Sequence, residues 1–198
     1  MTVIGITGPT GAGKTTALRV LAELGFEIVD CDRLYYERLR EDEALRQALE
    51  TAFGPVFLPD GSLDRKRLAE RVFRDRKELE KLDGIVNPAM YAAVEQKIKN
   101  CSQRGVAIDA VNLVESGIDR LCGCTVAITA DPMVRRRRVM ARDGLDEARA
   151  QARIAAQKPD SFYRARCSCF LENRAESRAE FDRQVRDLFM QILGDMEA

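Results

Sequence analysis

The chain has 198 residues, of which 45% are hydrophobic and 32% are charged. This composition predicts a globular protein with one well-buried core and room for a small appended subdomain. Its 32 basic residues equal its 32 acidic residues, and no stretch approaches the roughly 20 apolar residues of a membrane span. The chain opens on a core strand and not on a basic and then apolar signal. We therefore expect a cytoplasmic protein that binds neither nucleic acid nor membrane.

Cysteine and histidine usage limits the chemistry of the chain. The sequence has no histidine, which excludes a histidine-based triad and leaves proton transfer to carboxylates, lysine, tyrosine, cysteine or water. Two C-x-C pairs suggest a structural metal, but they lack the usual zinc spacing and no histidine could complete a mixed site. We therefore interpret the cysteines as reduced and buried. The six are Cys31, Cys101, Cys122, Cys124, Cys167 and Cys169.

The stretch Gly8-Pro-Thr-Gly11-Ala-Gly13-Lys14-Thr15 has the pattern G-x-x-x-x-G-K-T of a phosphate-binding loop. It follows an apolar, β-branched run at residues 3–6 and precedes an amphipathic stretch at residues 16–24, which is the strand–loop–helix context that the motif requires. Glycines let the backbone N–H groups turn inward around an anion. The pattern predicts that Lys14 reaches the β- and γ-phosphates, that the Thr15 hydroxyl binds Mg²⁺, and that the helix dipole faces the same anion.

Two acids follow the second predicted strand, at residues 26–30. In an open α/β sheet the ligand crevice lies at the carboxyl ends of the strands, so Asp30 and Asp32 could face the phosphates held by the first loop. A carboxylate there can accept the proton of an attacking hydroxyl or help to hold magnesium. The alternative is that both acids simply cap the next helix or solubilise a turn.

The middle third of the sequence contains no convincing strand. A charged helical pattern covers residues 33–52, a loop rich in glycine and proline follows at 53–61, and Ser62, Leu63 and Asp64 begin a helix over 65–74. Two further helices are predicted at residues 77–85 and 87–100. We interpret residues 33–100 as a helical insertion that covers an acceptor substrate.

Strand patterns return at residues 105–110, continuing through 111–115, and again at 124–129. Asp109 weakly resembles the acidic strand end that assists magnesium in many phosphate-loop proteins. Helices are predicted from residues 130–132 onward and over 146–157, and we interpret 132–158 as a lid. A last strand is predicted at 169–171 and a closing helix at about 178–193.

Arginines are concentrated in the first lid helix. Arg138 and Arg142 are four residues apart, share a helix face and are well placed to close over transferring phosphates. We interpret residues 135–137, which are also arginines, as a solvated basic face.

The order of these motifs resembles the dephospho-coenzyme A kinase family. The resemblance covers most of the chain, and the D-x-D placement combined with D-G-x-L-D-R and V-F is more specific than the phosphate loop alone. Its landmarks are the loop through Thr16, Asp30-Cys-Asp32, Asp60-Gly-Ser-Leu-Asp-Arg65, Leu68, Val72-Phe73, residues 82–88 and 109–115, Arg138-x-x-x-Arg142, Ile154-x-x-Gln157 and Glu172-Asn173.

The resemblance implies a P-loop NTPase fold, a three-layer α/β/α arrangement of one domain over residues 1–198. It implies a five-stranded parallel sheet with the helical acceptor-binding insertion and the lid. The implied reaction is transfer of the γ-phosphoryl group of ATP to the ribose 3′-hydroxyl of dephospho-coenzyme A. The implied cofactors are ATP and Mg²⁺, the implied partner is the small-molecule acceptor, and we expect a monomer or a weak homo-oligomer.

The family's functional residues fall on matching positions of this chain. The resemblance makes Asp32 the catalytic base, assisted by Lys14 and Arg142. It assigns substrate binding to Thr7, Asp30, Asp32, Arg65 and Arg138, and magnesium to Thr15. The implied ATP-binding residues are Gly11, Ala12, Gly13, Lys14, Thr15 and Thr16.

Four positions depart from the family pattern. The usual His-Pro reads Asn87-Pro88, the P-L-L motif reads Val111-Asn112-Leu113, a commonly basic residue is Tyr36, and an acid before the last strand is Ser168. The ATP half therefore matches the family better than the acceptor half. Two alternatives stay open: a phosphate-loop kinase for another small alcohol or nucleotide, and a non-catalytic ATP-binding regulatory protein.

Overall fold

A computed structural model describes residues 1–72 and 75–197. Within these residues, five strands form one sheet in the order β2-β3-β1-β4-β5, and every neighbouring pair is parallel. The strands are β1 (Thr2–Thr7), β2 (Phe26–Asp30), β3 (Gly105–Asp109), β4 (Cys124–Thr129) and β5 (Cys169–Glu172). The expected fold class, a parallel five-stranded α/β/α sheet of the P-loop type, is confirmed.

Helices cover both faces of the sheet and form a separate group between β2 and β3. They are α1 (Lys14–Glu23), α2 (Cys31–Glu41), α3 (Glu43–Phe53), α4 (Arg65–Val72), α5 (Arg76–Asn100), α6 (Pro132–Asp143), α7 (Glu147–Ala155), α8 (Asp160–Arg164) and α9 (Arg178–Glu197), with a 3-10 turn at Ile118–Leu121. Among the described residues, none of these helices combines the length and the apolar character needed to cross a bilayer.

The central strands are apolar on both faces because helices cover both. On one face Ile4 and Ile6 pack with Phe189 of α9, and on the other Ile108 packs with Val94 of α5. A third cluster lies outside the sheet, where α2 to α5 bury Phe53 and their own leucines. The helices between β2 and β3 therefore have an apolar core of their own, consistent with an inserted unit.

The helical pattern at residues 33–52 corresponds to two helices, α2 and α3, which are separated where the Asp42 carboxylate accepts the N–H of Leu45 (3.0 Å) and caps α3. Two other predictions of local structure are wrong. The helices expected at 77–85 and 87–100 are one, α5, with Pro88 inside it. Residues 111–117 form turns and not a strand, because the chain leaves the sheet after Ala110, whose N–H still donates to the carbonyl oxygen of Ile6 at 3.2 Å. Phe73 and Arg74, which belong to a predicted helix and landmark, lie outside the described residues.

The helix α5 continues through Pro88 because side chains on both sides of it are packed. Ile85, Val86 and Ala89 contact the helical cluster, and Met90 and Val94 enter the core beside the sheet. This packing offsets the backbone hydrogen bond that proline cannot donate. Pro88 alone therefore predicts a helix boundary, but the packing of its neighbours keeps the helix continuous.

Candidate active site

The phosphate loop connects β1 to α1 at the carboxyl edge of the sheet. A cleft of about 700 Å³ opens there, lined by loop residues 10–16 and by Asp32, Asp109, Arg138 and Arg142. Asp109 ends β3, the strand next to β1, and lies opposite Ile6 and Asp30 in the strand register. The topology thus brings residues that are more than 120 positions apart to one site.

The loop is packed too closely for side chains at its glycines. At Gly13, which has φ of 117°, a Cβ atom would lie 2.7 Å from Cε1 of Phe181 and 2.9 Å from Nδ2 of Asn173. At Gly11 it would lie 2.9 Å from the carbonyl oxygen of Arg135. Gly13 is the N-cap residue of α1 and has no side chain that could cap it. Residues 13–16 line the cleft, so the positive end of the helix faces it and the site fits an anion.

Lys14 folds back over the loop. Its Nζ donates hydrogen bonds to the carbonyl oxygens of Gly8 (2.7 Å) and Pro9 (3.4 Å). Burial lowers the pKa of Lys14, while the carboxylates of Asp109 and Asp32 act in the opposite direction. The ammonium group is therefore largely removed from water and lies within the field of both acids, where a phosphate could replace the weaker carbonyl contacts.

The acids of the cleft differ in environment. Burial, with smaller contributions from the charges of Asp30 and Asp32, raises the pKa of Asp109 to about 6, against the attraction of Lys14. Asp32 lies in the first turn of α2 and is exposed to the cleft. The Asp30 carboxylate instead caps α2 by accepting the N–H of Arg33 at 3.0 Å. Asp32 is thus an exposed carboxylate that lines the cleft, whereas Asp30 is engaged in capping α2.

Two arginines of α6 reach the phosphate loop. Nη1 of Arg138 donates to the carbonyl oxygens of Gly11 (3.1 Å) and Ala12 (3.4 Å). Nη2 of Arg142 lies 3.3 Å from the Thr10 hydroxyl, and the same guanidinium pairs with Asp143. Both guanidinium groups therefore line the cleft beside the loop, on the face that the four-residue spacing predicted.

Sequence reasoning missed a buried network behind the loop. The interpretation of residues 135–137 as a solvated face is wrong for Arg135, which is only 5% exposed. Its Nη1 donates to Oε1 of Gln157 (3.3 Å), and that oxygen also accepts the N–H of Thr10 (3.1 Å). The available signal was helical spacing, since Arg135 shares its buried face with Val139 one turn later.

Asn173 forms a second contact that the local sequence did not indicate. It follows β5, is 7% exposed, and its Nδ2 donates to the carbonyl oxygen of Ala12 at 2.9 Å. Gln157 and Asn173 appeared only as landmarks of a family pattern. They lie in different elements far along the chain, so no local spacing connects them with the loop.

Other predicted substrate residues lie apart from the cleft lining. The Thr7 hydroxyl is buried and donates to the Val111 carbonyl oxygen at 3.0 Å. The Arg65 guanidinium lies 4.2 Å from the centre of the Tyr36 ring, in a separate groove of about 540 Å³ between α2 and the loop before α4. The structure thus groups Lys14 and Asp32 with Arg138 and Arg142, but not with Thr7 and Arg65.

The oxygen donors of the cleft suit a hard cation. Thr15 is exposed and lines the cleft together with Asp32 and Asp109, and hydroxyl and carboxylate oxygens are magnesium ligands. Within residues 1–72 and 75–197, no group of three or more histidine, cysteine or acidic side chains is arranged to hold a metal by itself.

Comparison with known proteins assigns the chain to a family. The family model described as dephospho-CoA kinase matches residues 2–179. The chain belongs to the dephospho-CoA kinase family. A dephospho-CoA kinase from Geobacter sulfurreducens is 32% identical over 193 residues, covering 96% of this chain and 98% of that protein. Its counterpart from Anaeromyxobacter dehalogenans is 35% identical over 195 residues, covering 95% and 92%.

A solved structure has the same fold as this chain. The crystal structure of TT1252 from Thermus thermophilus is 30% identical to this chain, with a TM-score of 0.78 over 98% of this chain and 97% of that one. The dephospho-CoA kinase resemblance seen in the sequence motifs is therefore confirmed at the level of family and fold. The family match also runs through the helices between β2 and β3 and through α6 and α7.

Proposed function

We propose that this chain transfers the γ-phosphoryl group of ATP to the ribose 3′-hydroxyl of dephospho-coenzyme A, giving coenzyme A and ADP, the last step of coenzyme A synthesis. The observation that carries the proposal is membership of the dephospho-CoA kinase family over residues 2–179. The convergence of Lys14 and Asp32 on one cleft supports it, because a phosphoryl transferase needs donor and acceptor in line.

On the donor side, the loop glycines and the start of α1 hold the ATP phosphates through backbone N–H groups. Lys14 exchanges its bonds to Gly8 and Pro9 for phosphate oxygens and neutralises charge that develops in transfer. Arg138 and Arg142 act in the same way from the lid. Thr15, with Asp32 and Asp109 nearby, would hold Mg²⁺, which when bound supplies further neutralisation of the phosphates.

On the acceptor side, Asp32 orients the 3′-hydroxyl and accepts its proton. Asp32 suits this role because it is exposed to the cleft while Asp30 is engaged in capping α2. The helical unit of α2 to α5 binds the rest of the acceptor, and Arg65 above Tyr36 offers it a cation beside an aromatic face. The departures at Tyr36 and Asn87 then adjust how the acceptor is held, not which reaction occurs.

The two alternatives are less favoured. A kinase for a different alcohol fits the cleft but not the family assignment, and a regulatory ATP-binding protein would not need an accessible carboxylate beside the phosphate loop. The proposed partner is the small-molecule acceptor. We also propose a cytoplasmic location and a monomer or weak homo-oligomer.

An ADP-release assay tests the proposal. Purified chain with Mg-ATP is given dephospho-coenzyme A, pantetheine, a nucleoside panel or no acceptor, and the product is identified by mass and ³¹P NMR. We expect ADP release that depends on dephospho-coenzyme A and a new 3′-phosphomonoester. Equal rates without acceptor, or transfer to another alcohol in preference, would overturn the proposal.

A further inference from the structure

A third arginine, Arg153 of α7, lines the cleft beside the phosphate loop. Its Nη1 lies 2.7 Å from Oδ2 of Asp143, and its side chain is half exposed. The same carboxylate binds Arg142 twice, with Nε 2.7 Å from Oδ1 and Nη2 2.9 Å from Oδ2. One carboxylate thus brings guanidinium groups from two helices to one rim of the cleft.

We propose that Arg153 is a phosphate-binding residue of the ATP site and that Asp143 is the positioning residue that holds Arg153 and Arg142 toward the nucleotide. The inference rests on the proposed function and adds two residues to its machinery. Arg142 and Arg153 share the single carboxylate of Asp143, so these three side chains together keep a net positive charge directed at the cleft. A nucleotide with several negative charges is the ligand that such a rim favours.

The position of Asp143 supports a role beyond helix stability. Asp143 is the last residue of α6, and Gly144 ends that helix with φ of 64°. An acid at this end meets the negative end of the helix dipole, which is unfavourable for the helix. The carboxylate is instead stabilised by the arginines, which lower the pKa of Asp143, Arg142 most.

The geometry also gives the cluster a fixed direction. The two bonds between Arg142 and Asp143 hold the guanidinium plane, and Nη2 of Arg142 remains within 3.3 Å of the Thr10 hydroxyl of the loop. Arg153 approaches the same carboxylate from α7, which begins after the short turn that follows Gly144. Loss of the carboxylate would leave both cations present but free to rotate away from the phosphates.

The test compares Asp143→Asn and Arg153→Gln with two control variants in steady-state assays of the full chain. Asp187→Asn removes an exposed acid from α9, and Arg149→Gln removes an arginine from α7 that does not line the cleft. We expect Asp143→Asn to lower kcat by about tenfold to a hundredfold through misplacement of the arginines. Its KM for ATP should rise less than that of Arg153→Gln, because both cations remain and the cleft loses a negative charge.

Arg153→Gln should raise the KM for ATP by about tenfold, as expected for one lost charge-assisted hydrogen bond. Asp143→Glu should recover part of the kcat, and the effects of Asp143→Asn and Arg153→Gln on kcat/KM should not add. The control variants should match the wild type.

Two results would overturn the inference. The first is a kcat of Asp143→Asn within about twofold of wild type, and the second is a raised KM for ATP that is accompanied by a lowered melting temperature. ATP binding measured by calorimetry without acceptor separates the two proposals. If the wild type binds ATP but does not phosphorylate dephospho-coenzyme A, the proposed function fails, while weaker ATP binding by Arg153→Gln still supports this inference. Unchanged ATP binding by Arg153→Gln contradicts it.

Discussion

The Nζ atom of Lys14 lies 2.7 Å from the carbonyl oxygen of Gly8, so the loop holds its own lysine over the centre of the site. Burial lowers the pKa of this ammonium group, and among residues 1–72 and 75–197 no side-chain carboxylate forms an ion pair with it. The ammonium group has therefore lost most of its water of hydration, and its hydrogen bonds in the protein go only to neutral carbonyl oxygens. It is poised to bind an anion at little further desolvation cost.

Replacement of Lys14 by methionine should therefore remove transition-state stabilisation with little effect on folding. We expect Lys14→Met to lower kcat by about a hundredfold or more, while the melting temperature is unchanged or slightly raised because a buried charge is lost. Phosphoryl transfer and thermal unfolding are the two measurements. An unchanged kcat would exclude Lys14 from the transfer step.

Gly13 allows a matched test of the close packing behind the loop. A methyl group at Gly13 would overlap Phe181 and Asn173, whereas one at Gly84, inside α5, meets no atom within 4 Å. We expect Gly13→Ala to lower the free energy of unfolding by about 1–3 kcal/mol and to weaken ATP binding. Gly84→Ala should raise the free energy of unfolding by about 0.5–1 kcal/mol. Equal effects in urea unfolding would contradict the described packing.

Arg135 is predicted to contribute to nucleotide affinity and not to stability. Burial lowers its pKa, its Nε atom has no hydrogen-bond partner, and its charge acts on Lys14. Arg135→Met should leave the free energy of unfolding within about 1 kcal/mol of wild type or raise it, since a poorly paired buried charge is removed.

The same variant should weaken ATP binding by about fivefold, or about 1 kcal/mol, because the loop loses a nearby positive charge and the donor to Gln157. Arg137→Met, at an exposed position of the same helix, is the control. Calorimetric ATP titration that finds identical affinities for both variants would show that the buried charge has no part in binding.

Asp109 makes the stability of the ligand-free protein depend on pH. Its pKa is raised to about 6 in the folded state, against about 4 in an unfolded chain. Between these values the folded state binds more protons than the unfolded state, so this group lowers stability as pH rises from about 4 to about 6. Above pH 6 its contribution is constant.

Asp109→Asn removes that titration. The free energy of unfolding of Asp109→Asn relative to wild type should therefore increase from pH 4 to pH 6 and then remain level. Denaturant unfolding across this range measures the difference. A difference that does not vary with pH would mean that Asp109 is not buried as described.

Much of the fold was predictable because its signals are local. The apolar runs at residues 26–30 and 124–129 match β2 and β4, and glycine spacing identified the loop before α1. Predictions failed where a tertiary contact decides the outcome. Pro88 lies inside a helix because its neighbours are packed. Residues 111–115, three of which are apolar, leave the sheet, and Leu113 is fully buried in the core beside it.

The candidate site also has some residues that the sequence predicts and others that it does not. The loop lysine and the pair Arg138 and Arg142 follow from spacing within one element. The contacts of Gln157 and Asn173 with the loop do not, because they depend on how α7 and β5 pack beside β1, more than 140 residues away. The sequence did not indicate that Arg135 is buried, because it is followed by three further arginines and such a run is typical of a solvated helix face.

The most direct test of the account is the turnover of Asp32→Asn with saturating Mg-ATP and dephospho-coenzyme A. Asparagine keeps the size of the side chain but cannot accept the hydroxyl proton. We predict a kcat lowered by about a hundredfold or more, with the dissociation constant for ATP unchanged. A kcat close to that of wild type would contradict the claim that this carboxylate activates the acceptor across the cleft from Lys14.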